Sequence, residues 1–96
     1  MDYKTVHWAS PEGMAMHAIG MDHSKPYTRH GKLYYRPYRN RFTTPSTSPE
    51  FRDWLDLVEK GYAAHDTVKP LTFWLTRAGL DWLGETLGIT IYDETE

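Results

Sequence analysis

Residues 48–61, Ser48-Pro49-Glu50-Phe51-Arg52-Asp53-Trp54-Leu55-Asp56-Leu57-Val58-Glu59-Lys60-Gly61, read as one amphipathic helix with both ends marked. Ser48 is a residue type that accepts from free N–H groups at a helix start. Pro49 at the first position gives up an N–H that has no partner anyway, and Glu50 sits well on the helix dipole. Phe51, Trp54, Leu55 and Val58 recur three and four apart and form an apolar stripe. Glu50, Asp53, Asp56 and Glu59 fill the opposite side. Lys60-Gly61 supplies a basic last turn and a glycine stop, so the helix is expected over 49–60.

Reading downstream, residues 62–66 and 71–76 are two β-rich runs around Thr67-Val68-Lys69-Pro70, a hairpin. Thr76 then caps a helix over 77–87, with Leu80, Trp82, Leu83 and Leu87 as its buried stripe and Gly88 as its stop. Residues 89–92, Ile-Thr-Ile-Tyr, predict a last strand, and 93–96 an acidic tail. Upstream, Ser10-Pro11-Glu12 repeats the cap of residues 48–50, and Met14, Ala15, Ala18 and Ile19 predict a helix over 11–20. Pro26, Gly31, Pro37 and Pro45 forbid a long helix between them. Lys32-Leu33-Tyr34-Tyr35-Arg36 is the one strand expected there, with Pro37 fitting an edge position, and Thr43-Thr44-Pro45-Ser46-Thr47 reads as a linker. The predicted fold is a small single α+β domain over 1–96, in the order α-β-α-β-β-α-β.

At 96 residues, 40% hydrophobic and 25% charged, the chain matches one ordinary globular domain. Aromatics make up 15%, which gives a short chain large rings to bury. The absence of cysteine removes disulfides, thiolate nucleophiles and iron–sulfur ligation, and fits a cytoplasmic setting. No apolar run predicts a membrane span or a signal peptide.

The net charge of −2 hides an asymmetry. From residue 23 to 49 the charged residues are Lys25, Arg29, Lys32, Arg36, Arg39 and Arg41, with no Asp or Glu. That basic segment (23–47) is interleaved with Tyr27, Tyr34, Tyr35, Tyr38 and Phe42. Guanidinium forks match phosphate, and tyrosine faces stack on bases. On a strand, Tyr34 and Arg36 share one face while Leu33 and Tyr35 share the other. The candidate binding residues are therefore Arg29, Lys32, Tyr34, Arg36, Tyr38, Arg39 and Arg41. Arg39 and Arg41, flanking Asn40, are the pair that packing explains least. The competing reading buries the tyrosines in the core and pairs the arginines with the acidic helix.

Catalytic patterns are missing. There is no Gly-x-Ser-x-Gly and no phosphate loop, and Asp53 with Asp56 makes better sense as a solvated helix face than as a general-acid pair. His17, His23 and His30 lie six and seven apart, and a zinc site would have to gather His23 and His30 with Asp22. The expectation is no enzyme, no metal and no cofactor.

Two resemblances extend this reading. The run Leu57-Val58-Glu59-Lys60-Gly61-Tyr62, a hairpin, then Leu75-Thr76-Arg77-Ala78-Gly79 is similar to the wing region of winged-helix domains of the MarR and PadR types. That likeness implies a winged-helix-like fold for residues 48–92, with helix 49–60 in the recognition position. Its outward carboxylates and the single wing cation, Lys69, depart from the DNA-reading pattern. The phrases His17-Ala18-Ile19-Gly20, Tyr27-Thr28-Arg29-His30-Gly31-Lys32, Tyr35-Arg36-Pro37-Tyr38-Arg39-Asn40 and Leu80-Asp81-Trp82-Leu83-Gly84 resemble short proteins of phages and prophages of Gram-positive bacteria. They imply a protein acting in the host cytoplasm. The expected function is binding of an anionic partner, nucleic acid or nucleotide, by the basic–aromatic segment. One alternative is an inhibitor of a host defence nuclease that uses Asp53, Asp56 and Glu59 as a partial DNA mimic; another is a winged-helix transcriptional regulator.

Overall fold

A computed structural model describes residues 2–93 as a small α+β domain with two three-stranded sheets. After a 3-10 turn over Tyr3–Thr5, the order is α1 (Pro11–Ala18), β1 (Tyr27–Arg29), β2 (Lys32–Tyr35), β3 (Phe42–Thr44) and α2 (Pro49–Glu59). Then follow β4 (Ala63–His65), β5 (Leu71–Leu75), α3 (Arg77–Leu87) and β6 (Ile89–Ile91). Asp93 is the only residue of the acidic tail among those described; 94–96 lie outside them.

The helices and the strands after residue 48 fall within one or two residues of their expected places. The stretch from 24 to 47 differs. It holds three strands where one was expected, so the order is α-β-β-β-α-β-β-α-β. Residues 27–29 pair because His30 and Gly31 both take positive φ, 53° and 77°, giving a two-residue turn that matches strand twist. Thr43 and Thr44 are not part of a linker: with Phe42 they pair antiparallel with Thr72, Leu71 and Phe73 of β5. Nor does β2 lie at an edge. It pairs with β1 on one side and runs parallel to β6 on the other, Leu33 opposite Ile89 and Tyr35 opposite Ile91. Pro37 lies beyond the strand and removes no ladder bond.

The core joins both sheets. Trp54 is fully buried and its ring stacks 5.5 Å from Phe73, with Phe42 also 5.5 Å away. From Met14 to Ile19, every residue except His17 is buried, so α1 has little polar face and contacts α2, α3 and β5. On α2, Leu55 is exposed and Leu57 buried, the reverse of the expected stripe. Trp82 is only half-buried and stacks on Tyr62 at 5.1 Å, outside the main core.

The caps also differ from one another. Ser10 and Thr76 accept from the N–H of Gly13 and Gly79, each at 3.1 Å. Ser48 has cap dihedrals but its hydroxyl instead donates to the Glu50 carboxylate, which it holds below the usual carboxylate range.

Truncating Trp54 to Ala should cost about 3–5 kcal/mol, whereas Trp82→Ala should cost less than half of that, because its ring is partly solvated. Chemical denaturation of both variants checks the ranking; equal losses would contradict the packing described. Ser10→Ala and Thr76→Ala should each cost about 0.5–2 kcal/mol by losing a helix cap. Ser48→Ala should fall below either, and a larger loss at Ser48 would mean its hydroxyl caps α2 in solution.

Candidate nucleic-acid interface

The face of the β1–β2–β6 sheet turned away from the core is built by strand alternation. Leu33 and Tyr35 of β2, with Ile89 and Ile91 of β6, point inward to the hydrophobic core. Tyr27, Tyr34 and Thr90 stand on the opposite side in register, Tyr27 across from Tyr34 and Tyr34 across from Thr90. Tyr92, two residues beyond Thr90, continues the row. The three rings form a ladder: Tyr27 to Tyr34 is 5.9 Å between centroids, and Tyr34 to Tyr92 is 6.1 Å with planes 11° apart. Arg36 closes one end, its guanidinium 5.0 Å from the Tyr92 centroid. At the other end Tyr27 is 44% exposed, so the outer side of the ladder is open at the sheet edge. Arg29 and Lys32, facing each other beside the turn, are both exposed.

Tyr35 fixes this strand in place. Its hydroxyl donates to the Ile19 carbonyl at 3.0 Å and shares a 2.9 Å hydrogen bond with Ser24, tying the inner face of β2 to the end of α1. Burial pushes its phenol pKa up from the ordinary value, since the charged form would lose its water.

The remaining candidate residues do not join the ladder. Arg39 turns toward the end of α1, where it donates to the His17 carbonyl and to Asp22, each at 2.7 Å. Packing therefore does explain Arg39. Asn40 likewise serves the fold. Its side-chain amide donates to the Leu75 carbonyl at 2.9 Å and accepts from the Leu75 N–H at 2.8 Å, in the manner of an added strand residue. Arg41 is exposed beside β3, its backbone N–H on the Ala18 carbonyl. Tyr38 is 59% exposed and lies against the His23 ring at 4.4 Å, where Gly20 leaves room for it. Sequence reasoning missed Tyr92 altogether and left Tyr27 out of the site, since neither the β1 hairpin nor the β2–β6 pairing is written in a local pattern. The alternation of Thr90 and Tyr92 was the available signal for Tyr92.

The acidic helix does not neutralise the basic segment. Asp56 pairs with Lys60 at 3.0 Å, and neither Asp53 nor Glu59 takes part in the ion pairs found among the described residues. Those ion pairs include none of Arg29, Lys32, Arg36 and Arg41. Nor do Asp22, His23 and His30 converge; among the described residues no three His, Cys, Asp or Glu side chains come together as a metal site would need. No helix among them is long and apolar enough to cross a membrane.

One consequence of the buried phenol is measurable. Because its folded-state pKa is raised above the ordinary value of 10.0, Tyr35 contributes stability that is present below pH 10 and is lost as pH climbs above it. A spectrophotometric titration of tyrosinate should show a phenol ionising above the ordinary value, absent from Tyr35→Phe. If the phenol lost in the variant ionised at or below the ordinary value in the wild type, the hydroxyl is not held as described.

Compared with protein-family models, curated proteins and solved structures, the chain matches none of them.

Proposed function

We propose that this is a small non-enzymatic binding protein that takes a single-stranded nucleic acid across the open face of the β1–β2–β6 sheet. One observation carries the reading: three tyrosine rings stack in a row on the outward face of the sheet, Tyr27 in register with Tyr34 and Tyr92 stacked on Tyr34, with Arg29, Lys32 and Arg36 beside them. Aromatic rings on an open sheet offer π-faces that any base can stack on, and flanking cations meet the phosphates. A double helix would present its paired edges and stacked interior instead, out of reach of such a row. Tyr27, with its outer side open, is the leading stacking residue. Tyr34, Tyr92 and Arg36 make the ladder rigid behind it.

The finer elements of the reading rest on resemblance. The antiparallel β3–β5–β4 sheet with α2 and α3 supports a winged-helix-like arrangement in which β4 and β5 form the wing. The setting is a phage-encoded protein working in the cytoplasm of its bacterial host. Inhibition of a host nuclease through Asp53, Asp56 and Glu59 has less support, since Asp56 is already engaged by Lys60. A regulator reading duplex DNA through α2 is opposed by the carboxylates on that helix.

Fluorescence anisotropy with a labelled oligothymidylate tests the proposal. The wild type should bind at low salt, with log affinity falling linearly with log salt. Arg29→Ala with Lys32→Ala should flatten that slope by about 1.4, two phosphate contacts at about 0.7 each for a single strand. Tyr27→Ala should weaken binding by about 1–3 kcal/mol and leave the slope unchanged, because stacking releases no counterions. Arg41→Ala, away from the ladder, should alter neither. Absence of any binding at low salt, where attraction is least screened, would remove the proposal.

A further inference from the structure

Trp8 is 47% exposed, although few side chains cost more to leave in water. The backbone that carries it is well held. Ser10 donates to the His7 carbonyl through its N–H at 3.0 Å and through its hydroxyl at 2.5 Å, and the Ala9 N–H bonds His7 Nδ1 at 3.1 Å. This turn rests on α1 at Gly13, where a Cβ would stand 2.2 Å from the His7 carbonyl oxygen and 2.5 Å from Trp8 Cα. A rigid turn, seated on a residue that has no side chain, therefore presents the indole outward.

Trp8 and Tyr3 line a groove of about 400 Å³ together with the buried Met16 and Met21 and with Lys4 and Lys25. A groove with aromatic rings and polarisable thioethers in its lining suits an aromatic ring system, and two ammonium groups beside it suit an anion attached to that ring. Lys25 is also two residues from Tyr27, the open end of the ladder. Consecutive residues advance at most about 3.3–3.6 Å each, so the backbone positions of Lys25 and Tyr27 lie within about 7 Å of one another.

We propose that this groove is a second base subsite for the same single-stranded nucleic acid, receiving one unstacked nucleobase against Trp8 and Tyr3 with its flanking phosphates at Lys25 and Lys4. The inference rests on the ladder reading and extends its path beyond β1, around to the N-terminal turn and α1. A strand bound this way would cover both the sheet face and the groove, and contact with Lys25 would link them.

Eight-residue oligothymidylate is the probe, with affinity and tryptophan emission as readouts. Trp8→Ala should weaken binding roughly 5- to 160-fold, the range for losing one base–aromatic stack. Trp8→Phe should keep most of the affinity yet lose the quenching of tryptophan emission seen on binding to the wild type. Lys4→Glu with Lys25→Glu, both surface changes, should lower affinity and flatten the salt slope without moving the melting temperature. If Tyr27→Ala weakens binding while Trp8→Ala and the lysine reversal do not, and Trp8→Phe still shows full quenching, the groove is not a subsite and the ladder reading stands. If Trp8→Ala weakens binding and Tyr27→Ala has no effect, the strand does not run over the ladder and the proposal fails as stated. No binding by the wild type overturns both.

Discussion

Thr76 occupies the junction on which the second half of the chain is assembled. Its hydroxyl donates to the Gly61 carbonyl at 2.7 Å and accepts from the Gly79 N–H at 3.1 Å, while its own N–H reaches the Tyr62 carbonyl at 3.0 Å. One residue thus caps α3 and ties it to the turn that ends α2. The contact is possible because position 79 has no side chain: a Cβ there would lie 1.8 Å from the Tyr62 carbonyl oxygen. Gly84 repeats the device further along the helix, against the Ile89 carbonyl oxygen. With α3 drawn in at both points, β6 is delivered alongside β2, and that placement brings Tyr92 to the ladder. The Leu-Thr-x-x-Gly pattern at 75–79 therefore has a physical meaning here, whatever lineage it comes from: a cap and a close approach in five residues.

The strand β2 carries opposite demands on its two sides. Inward, Tyr35 is 1% exposed and hydrogen-bonded to α1; outward, Tyr34 stands between two other rings. Rings that stack on one another in water recover part of the area they would otherwise expose, and offset parallel pairs add about 0.5–1.5 kcal/mol beyond burial. The ladder can therefore exist without a ligand and still leave its outer side free. A binding surface organised in advance spares the cost of ordering side chains when a partner arrives.

How much of this was readable in advance depended on the range of the interactions. Helices 77–87 and 49–60 carry their start and stop signals within a dozen residues, and α3 appears with the bounds expected and α2 within a residue of them. The strands at 27–29 and 42–44 were missed because their pairing depends on a left-handed His30-Gly31 turn and on a strand some thirty residues away, both set by tertiary structure. For the site, the alternation placing Tyr34 and Arg36 together was visible in a five-residue run. The role of Arg39 was not. It is decided by Asp22 and a helix-end carbonyl, and neither contact leaves a mark in the local sequence. Trp8 was likewise passed over, since an isolated indole in an irregular stretch has no period to read.

The parallel pairing of Leu33 with Ile89 spans 56 positions and has a consequence during synthesis. A chain emerging from the ribosome can form the β1–β2 hairpin early, but the cations of that hairpin then stand beside an unfinished row of rings. The third ring follows only when the end of the fold has cleared the exit tunnel and docked. Loop closure over such a span adds its entropy at the last step, and order in that row follows completion of the whole domain. On the proposed function, the hairpin alone carries Tyr27, Arg29 and Lys32, and the backing of Tyr27 by the full row of rings arrives only with the last strand.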